Sequence, residues 1–227
     1  MKSKILVVTL IGLICISCSN AKTESVNAIP TPSKKYYLAL GDSYTIGESV
    51  PDTDRFPVIL VRELKKRDVQ FEEPNIIAKT GWTSGELIDA VEEANIQRNF
   101  ELVTLLIGVN NQYRGLSVEA YRLELRKLLK KALVFAANKP ENVRVISIPD
   151  WGVSPFAANR DRELIADEID VFNAVKMEET AAMNLTFINI TEISRTALDQ
   201  EAYFASDGLH FSGKMHALWV EEILKSF

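Results

Sequence analysis

The chain has 227 residues, 47% hydrophobic and 25% charged, enough for one globular domain with a short extension, and this composition excludes a disordered or fibrous polypeptide. Its formal net charge is −5 and no basic stripe with interleaved aromatic residues occurs, so nucleic acid is not an expected partner. Both cysteines, Cys15 and Cys18, lie near the start, which leaves the rest of the chain without a thiol nucleophile or an intramolecular disulfide. With two histidines and no available thiol, a histidine-based metal site is not expected either.

In chain order, Lys2 and Lys4 precede an almost wholly apolar run from Ile5 to Ile16, too short to span a bilayer comfortably. Residues 1–17 therefore read as a signal peptide, and its removal would take the charge to −7. The stretch Ile14-Cys15-Ile16-Ser17-Cys18-Ser19-Asn20 resembles a bacterial lipobox, with Cys18 as the residue that would be lipidated and Cys15 where leucine is usual. An ordinary secretory signal cut a few residues later is the alternative, and either reading exports the protein. Residues 18–35 turn polar, carry Pro30 and Pro32, and show no period, so they read as a lipidated N-terminus and flexible tether. The expected location is a bacterial membrane, reached through the N-terminal lipid, facing the periplasm or the cell exterior.

The domain proper, residues 36–227, alternates strand and helix patterns. Apolar runs recur at Tyr36–Leu40, Val69–Ala78, Leu102–Ile107, Val143–Ile148 and Leu185–Ile190. Between them, Pro57 opens a helix with Phe56, Ile59, Leu60 and Leu64 on one face, and Thr83-Ser84-Gly85-Glu86 matches a capping box. A third helix follows Ser117, a fourth covers about Arg160 to Met183, and a fifth starts near Ser212. Strands this continuously apolar predict a parallel sheet covered on both faces. Right-handed crossovers then give an α/β fold, a three-layer α/β/α sandwich with a five-stranded parallel sheet.

In open α/β sheets the ligand site lies beyond the carboxyl ends of the strands. Ser43 follows the first strand, Gly81 the second, Asn110 the third, and Asp207 with His210 the fifth, so four scattered segments should meet at one edge. A serine there, with Asp and His arriving on one short loop, has the chemistry of nucleophile, orienting carboxylate and base. A Gly-x-Ser-x-Gly elbow is lacking, as are Walker A, dinucleotide-binding and His-Glu-x-x-His sequences. Asp42 reads as a turn residue and His216 as surface or packing.

The blocks Gly41-Asp42-Ser43-Tyr44, Thr80-Gly81, Gly108-Val109-Asn110-Asn111 and Asp207-Gly208-Leu209-His210, in this order, resemble those of the SGNH (GDSL-type) hydrolase family from Tyr37 to about Trp219. The resemblance implies the flavodoxin-like fold of that family and hydrolysis, through an acyl-enzyme, of a small-molecule ester or one linked to carbohydrate or lipid, with no cofactor. It implies Ser43 as nucleophile, His210 as general base and acid, and Asp207 as its orienting partner. The oxyanion hole would combine the backbone N–H groups of Ser43 and Gly81 with the amide of Asn110. Tyr44 stands where leucine is usual and Asn111 where aspartate is usual. Trp82, Tyr113, Arg114, Trp151 and Phe156 fall on strand-end loops and are candidates for lining the substrate cleft, with packing over helix ends as the alternative. Arg114 could pair with an anionic group of a substrate. A thioesterase or lysophospholipase, or a catalytically silent glycan- or lipid-binding lipoprotein, remain as alternatives, and nothing in the sequence sets the oligomeric state.

Overall fold

A computed structural model of the chain describes residues 34–227. The expected signal peptide, the lipidation site Cys18 and nearly all of the tether lie outside the described residues.

Five strands, β1 (Tyr37–Gly41), β2 (Asn75–Ala78), β3 (Leu102–Leu106), β4 (Val143–Ile146) and β5 (Thr186–Ile188), pair in the order β2-β1-β3-β4-β5, and every neighbouring pair is parallel. This is the flavodoxin-like order expected from the resemblance. β1, β3 and β4 are buried along their whole length, as their unbroken apolar runs require. The second strand begins later than its apolar run. Pro74 has no N–H to give a ladder and follows two glutamates, so the chain from Val69 contributes only an isolated bridge between Lys35 and Phe71 before the edge strand β2 starts.

The connection β1 to β2 runs to one side of β1, and β3 lies on the other. Chain direction therefore reverses its progress between β1 and β3, the topological switch point at which such sheets open a crevice. Gly41 pairs with both Ala78 and Leu106, so three strands end level. The segments leaving them emerge side by side.

Helices α2 (Phe56–Lys65) and α8 (Gly213–Ile223) pack together on one face, while α3 (Ser84–Glu93), α5 (Val118–Phe135) and α6 (Arg162–Ala182) succeed one another on the other. Ser117 caps α5 by accepting from the Ala120 N–H, and Tyr121, Leu125, Leu128, Leu129 and Ala132 form its buried stripe. The capping box of α3 is present in both directions. α6 starts after Asp161, whose carboxylate accepts from the Leu164 N–H at 3.0 Å, so Arg160 lies outside the helix expected to contain it. α5 and α6 are tied by a two-bond fork from Arg126 to Glu179, both 2.7 Å, with Arg122 adding a third bond. The Arg126 bonds lead in holding the Glu179 carboxyl down at about 2, against the opposing effect of its burial.

Three one-turn helices, α1 (Ser43–Ile46), α4 (Val109–Tyr113) and α7 (Thr191–Arg195), were not expected, since they are too short to carry an apolar period. α1 and α4 start directly at the ends of β1 and β3. Among the described residues, no helix is long and apolar enough to cross a membrane.

Candidate active site

Ser43 owes its position to Asp42. The buried Asp42 caps α1 by accepting from the Tyr44 N–H at 3.1 Å, which sets Ser43 at the first helical position, where an N–H has no acceptor within its own helix. Ser43 is 5% exposed. Burial pushes the Asp42 carboxyl up and pushes the equally buried Lys176 ammonium down, while attraction between the two offsets part of both effects. Lys176 donates to the Ile146 carbonyl at 2.8 Å, and Asp42 Oδ2 has no hydrogen-bond partner among the described residues.

Gly81 holds φ at +84°, a conformation that suits glycine and strains other residues. Among the described residues its N–H donates to no protein group, while its carbonyl accepts from the Arg114 guanidinium. Arg114 also lies 3.4 Å from Glu86. It braces the Gly81 segment and does not line the cavity described below.

At the end of β3, Gly108 has φ of +124°, and a Cβ there would come within 2.8 Å of the Tyr121 ring. The turn it permits directs α4 back over the sheet edge. Asn110 Nδ2 donates to the Trp82 carbonyl at 2.9 Å, which occupies one of its two N–H groups. Asn111 is buried, accepts from the Ser84 N–H at 2.9 Å and donates to Ser84 Oγ at 2.7 Å. An amide can do both, whereas an ionised aspartate could not donate. The two asparagines thus clamp the Gly81–Ser84 segment to α4.

The fourth block closes on itself. Asp207 Oδ1 accepts from the Leu209 and His210 N–H groups, both 2.9 Å, and Oδ2 meets His210 Nδ1 at 2.7 Å. Oδ2 also accepts from Ser49 Oγ at 2.7 Å. Burial opposes the Asp207 charge, but the bonds from His210, Leu209 and Ser49 together outweigh it and hold the carboxyl well below the usual range. With a carboxylate at Nδ1, that nitrogen carries the proton and Nε2 is the basic one. Tyr44 stands edge-on to the imidazole, with ring centroids 5.8 Å apart, and packs on Phe211 and Trp219 behind it.

Ser43, Asn110 and His210 face one cavity of about 180 Å³. Tyr44, Val109, Tyr113, Trp151 and Leu209 supply the rest of its wall. Trp151 is fixed by donating from Nε1 to Gln112 at 2.8 Å, and Gln112 in turn donates to Glu168 at 2.7 Å. Of the residues expected to line the cleft, Tyr113 and Trp151 do so, and Trp82 and Arg114 do not. Trp82 contributes its backbone carbonyl to Asn110, and Phe156 packs on the outer side of Trp151 at 6.2 Å. Among the described residues no hydrogen bond joins Ser43 Oγ to His210; such bonds commonly close only with substrate present. Three larger hollows among the described residues, about 280, 330 and 550 Å³, are lined by none of Ser43, Asn110 and His210.

Sequence reasoning missed Ser49, Val109 and Leu209. The last two sit inside motif blocks and could have been suspected from their neighbours; Ser49 carried no signal. His216, for which the sequence allows surface or packing, is 1% exposed and packs on Phe56 and Trp219 with Nδ1 at 3.0 Å from the Asp54 carbonyl.

The fold recurs in proteins of low sequence identity. A lipase from a goat rumen metagenome superposes with a TM-score of 0.70 at 17% identity, over 85% of this chain and 97% of that one. A putative GDSL-like lipase from Parabacteroides merdae gives 0.68 at 19% identity, over 85% and 96%. The psychrotrophic esterase EstA from Pseudoalteromonas sp., in a structure inhibited by monoethylphosphonate, gives 0.61 at 18% identity, over 85% and 96%. No curated protein sequence matches the chain. The sequence pattern of one family extends over residues 39–218, nearly the whole described domain, and on that match the chain belongs to the GDSL-like lipase/acylhydrolase family, hydrolases that act on ester bonds.

Proposed function

We propose that the protein is a serine-dependent hydrolase of short-acyl carboxylic esters working through an acyl-enzyme. The observation that carries this reading is the meeting of Ser43, Asn110 and His210 on one cavity, with His210 Nδ1 2.7 Å from the Asp207 carboxylate.

In the proposed reaction Ser43 Oγ attacks the ester carbonyl as His210 Nε2 takes its proton. The negative charge that forms on the carbonyl oxygen is met by the N–H groups of Ser43 and Gly81 and by the remaining N–H of Asn110. Collapse expels the alcohol, which receives the proton from His210. Water then attacks the acyl-enzyme with His210 again as base, releasing the acid and restoring Ser43. Asp207 keeps the imidazole in the tautomer this requires and stabilises the imidazolium. No cofactor enters any step.

The size of the cavity supports a short acyl group, since about 180 Å³ is well under the ~300–1,000 Å³ typical of sites for larger ligands. The same volume disfavours a thioesterase or lysophospholipase that buries a long chain. Export through the 1–17 signal and anchoring by lipid on Cys18 complete the proposal, supported by the basic start, the apolar run and the lipobox-like stretch. A fluorophosphonate probe tests the chemistry: wild type should be labelled and Ser43→Ala should not, while equal labelling of both removes Ser43 as nucleophile. A rate on p-nitrophenyl octanoate above that on the acetate would remove the short-acyl reading. Radiolabelled fatty acid should mark the wild type and not Cys18→Ala.

A further inference from the structure

We propose that Arg160 forms a subsite at the mouth of the cavity for an anionic group, a carboxylate or phosphate, carried by the leaving alcohol of the substrate. The inference rests on the short-acyl reading, because a cavity filled by the acyl group directs the alcohol out towards its rim.

The Arg160 guanidinium carbon lies 5.5 Å from the Trp151 ring centroid, 5.6 Å from Tyr113 and 5.1 Å from Phe156. Two of these rings, Trp151 and Tyr113, also wall the cavity that Ser43 and His210 face. Arg160 Nη2 donates to the Tyr113 hydroxyl at 3.4 Å, a long bond and the only one the side chain makes among the described residues. The residue is exposed, and no carboxylate of the described residues lies within ion-pair distance of it. Asp161, next in the chain, has one carboxylate oxygen committed to capping α6.

The cation is thus held in place by aromatic faces that leave its charge uncompensated. Guanidinium is weakly hydrated, stacks on aromatic rings and presents paired N–H donors matched to a carboxylate or phosphate. The rings restrict its freedom before a ligand arrives, which lowers the entropy lost on binding. Trp151 is itself anchored through Gln112, which fixes one of the three rings. The contrast with Arg114 is informative: that arginine is spent on Glu86 and the Gly81 carbonyl. In a chain of formal charge −5, a cation stacked on two of the rings that wall the cavity sets a local field opposite to that of the molecule as a whole.

The test compares two acetate esters alike in shape, 4-acetoxybenzoate and the neutral 4-acetoxybenzamide, on wild type, Arg160→Gln and Arg160→Lys. Arg160→Gln should raise KM for the benzoate about tenfold, as for loss of an exposed charge-assisted bond, and leave the benzamide within about twofold. Arg160→Lys should recover part of the difference, and about 0.5 M NaCl should erase the wild-type preference. Equal changes on both esters would reduce Arg160 to packing at the mouth and overturn the proposal, as would no change on either. Binding of the amide 4-acetamidobenzoate, followed by tryptophan fluorescence, reads the subsite without turnover. A weaker affinity in Arg160→Gln supports it even if no ester is hydrolysed, and equal affinity overturns it even if the esterase reading stands.

Discussion

Replacing Asn110 with alanine separates the two bonds its amide can make. One N–H already donates to the Trp82 carbonyl at 2.9 Å, and the side chain faces the cavity with Ser43 and His210, which leaves the second N–H to meet the oxyanion of the proposed reaction. Loss of such a donor costs about 3 kcal/mol of transition-state stabilisation, which is roughly two orders of magnitude in kcat. Loss of the Trp82 bond costs the fold about 1 kcal/mol, or about 2–4 °C in Tm for a domain of this size. Because the donor acts on charge that develops only in the transition state, KM should stay within about threefold. Steady-state hydrolysis of p-nitrophenyl acetate, with Tm measured in parallel, reads both quantities. Asn110→Asp, which keeps the size but sets a carboxylate against the developing anion, should be slower than the alanine variant. A kcat loss under about tenfold, a loss confined to KM, or an aspartate variant as fast as wild type would each refute the assignment of Asn110 to the oxyanion.

Two further predictions concern groups around the site. Ser49 holds φ at +62° and gives its hydroxyl to Asp207, so Ser49→Ala and Ser49→Gly should lose kcat/KM alike, by roughly three- to tenfold. Only the alanine variant should also lose Tm, since glycine adopts that backbone without strain; full activity in Ser49→Gly would show that the hydroxyl does not orient Asp207. His216 is buried, and burial holds its imidazole down at about 4, against about 6.5 in the unfolded chain. Between these values the unfolded chain binds a proton that the fold does not. Stability therefore falls as pH drops through that window, by up to roughly 3 kcal/mol. In His216→Gln the dependence of denaturation midpoint on pH between about 6.5 and 4 should flatten, with activity at pH 8 retained; an unchanged slope would assign the acid sensitivity elsewhere.

Much of the architecture could be read along the chain. The runs at Tyr37–Gly41 and Leu102–Leu106 are unbroken apolar segments because the sheet buries both of their faces, and the Thr83–Glu86 box and Ser117 cap announce their helices by residue type alone. Pro74 shortened β2 from within its own run. The short helices α1 and α4 escaped notice because one turn carries no period, although they are the elements that bear Ser43 and Asn110.

The site divides in the same way. Ser43 and Asn110 lie just past the ends of β1 and β3, so their meeting on one cavity is a consequence of element order and sheet topology, both encoded in local periodicity, whereas His210 reaches the same cavity from a loop beyond α7. Which arginine is free was not legible: Arg114 and Arg160 differ only in the partners that folding brings to them, Glu86 and the Gly81 carbonyl for one and three aromatic rings for the other. The bond from Ser49 to Asp207 joins residues 158 apart, and the burial of Lys176 beside Asp42 and of His216 against Trp219 likewise depends on distant neighbours. The sequence by itself determined the order of elements, their caps and the chemical types at the strand ends, because these rest on covalent neighbours and residue period. Charge pairing, protonation and a cavity of about 180 Å³ were decided only by tertiary structure, because each is set by side chains that meet solely when the layers pack.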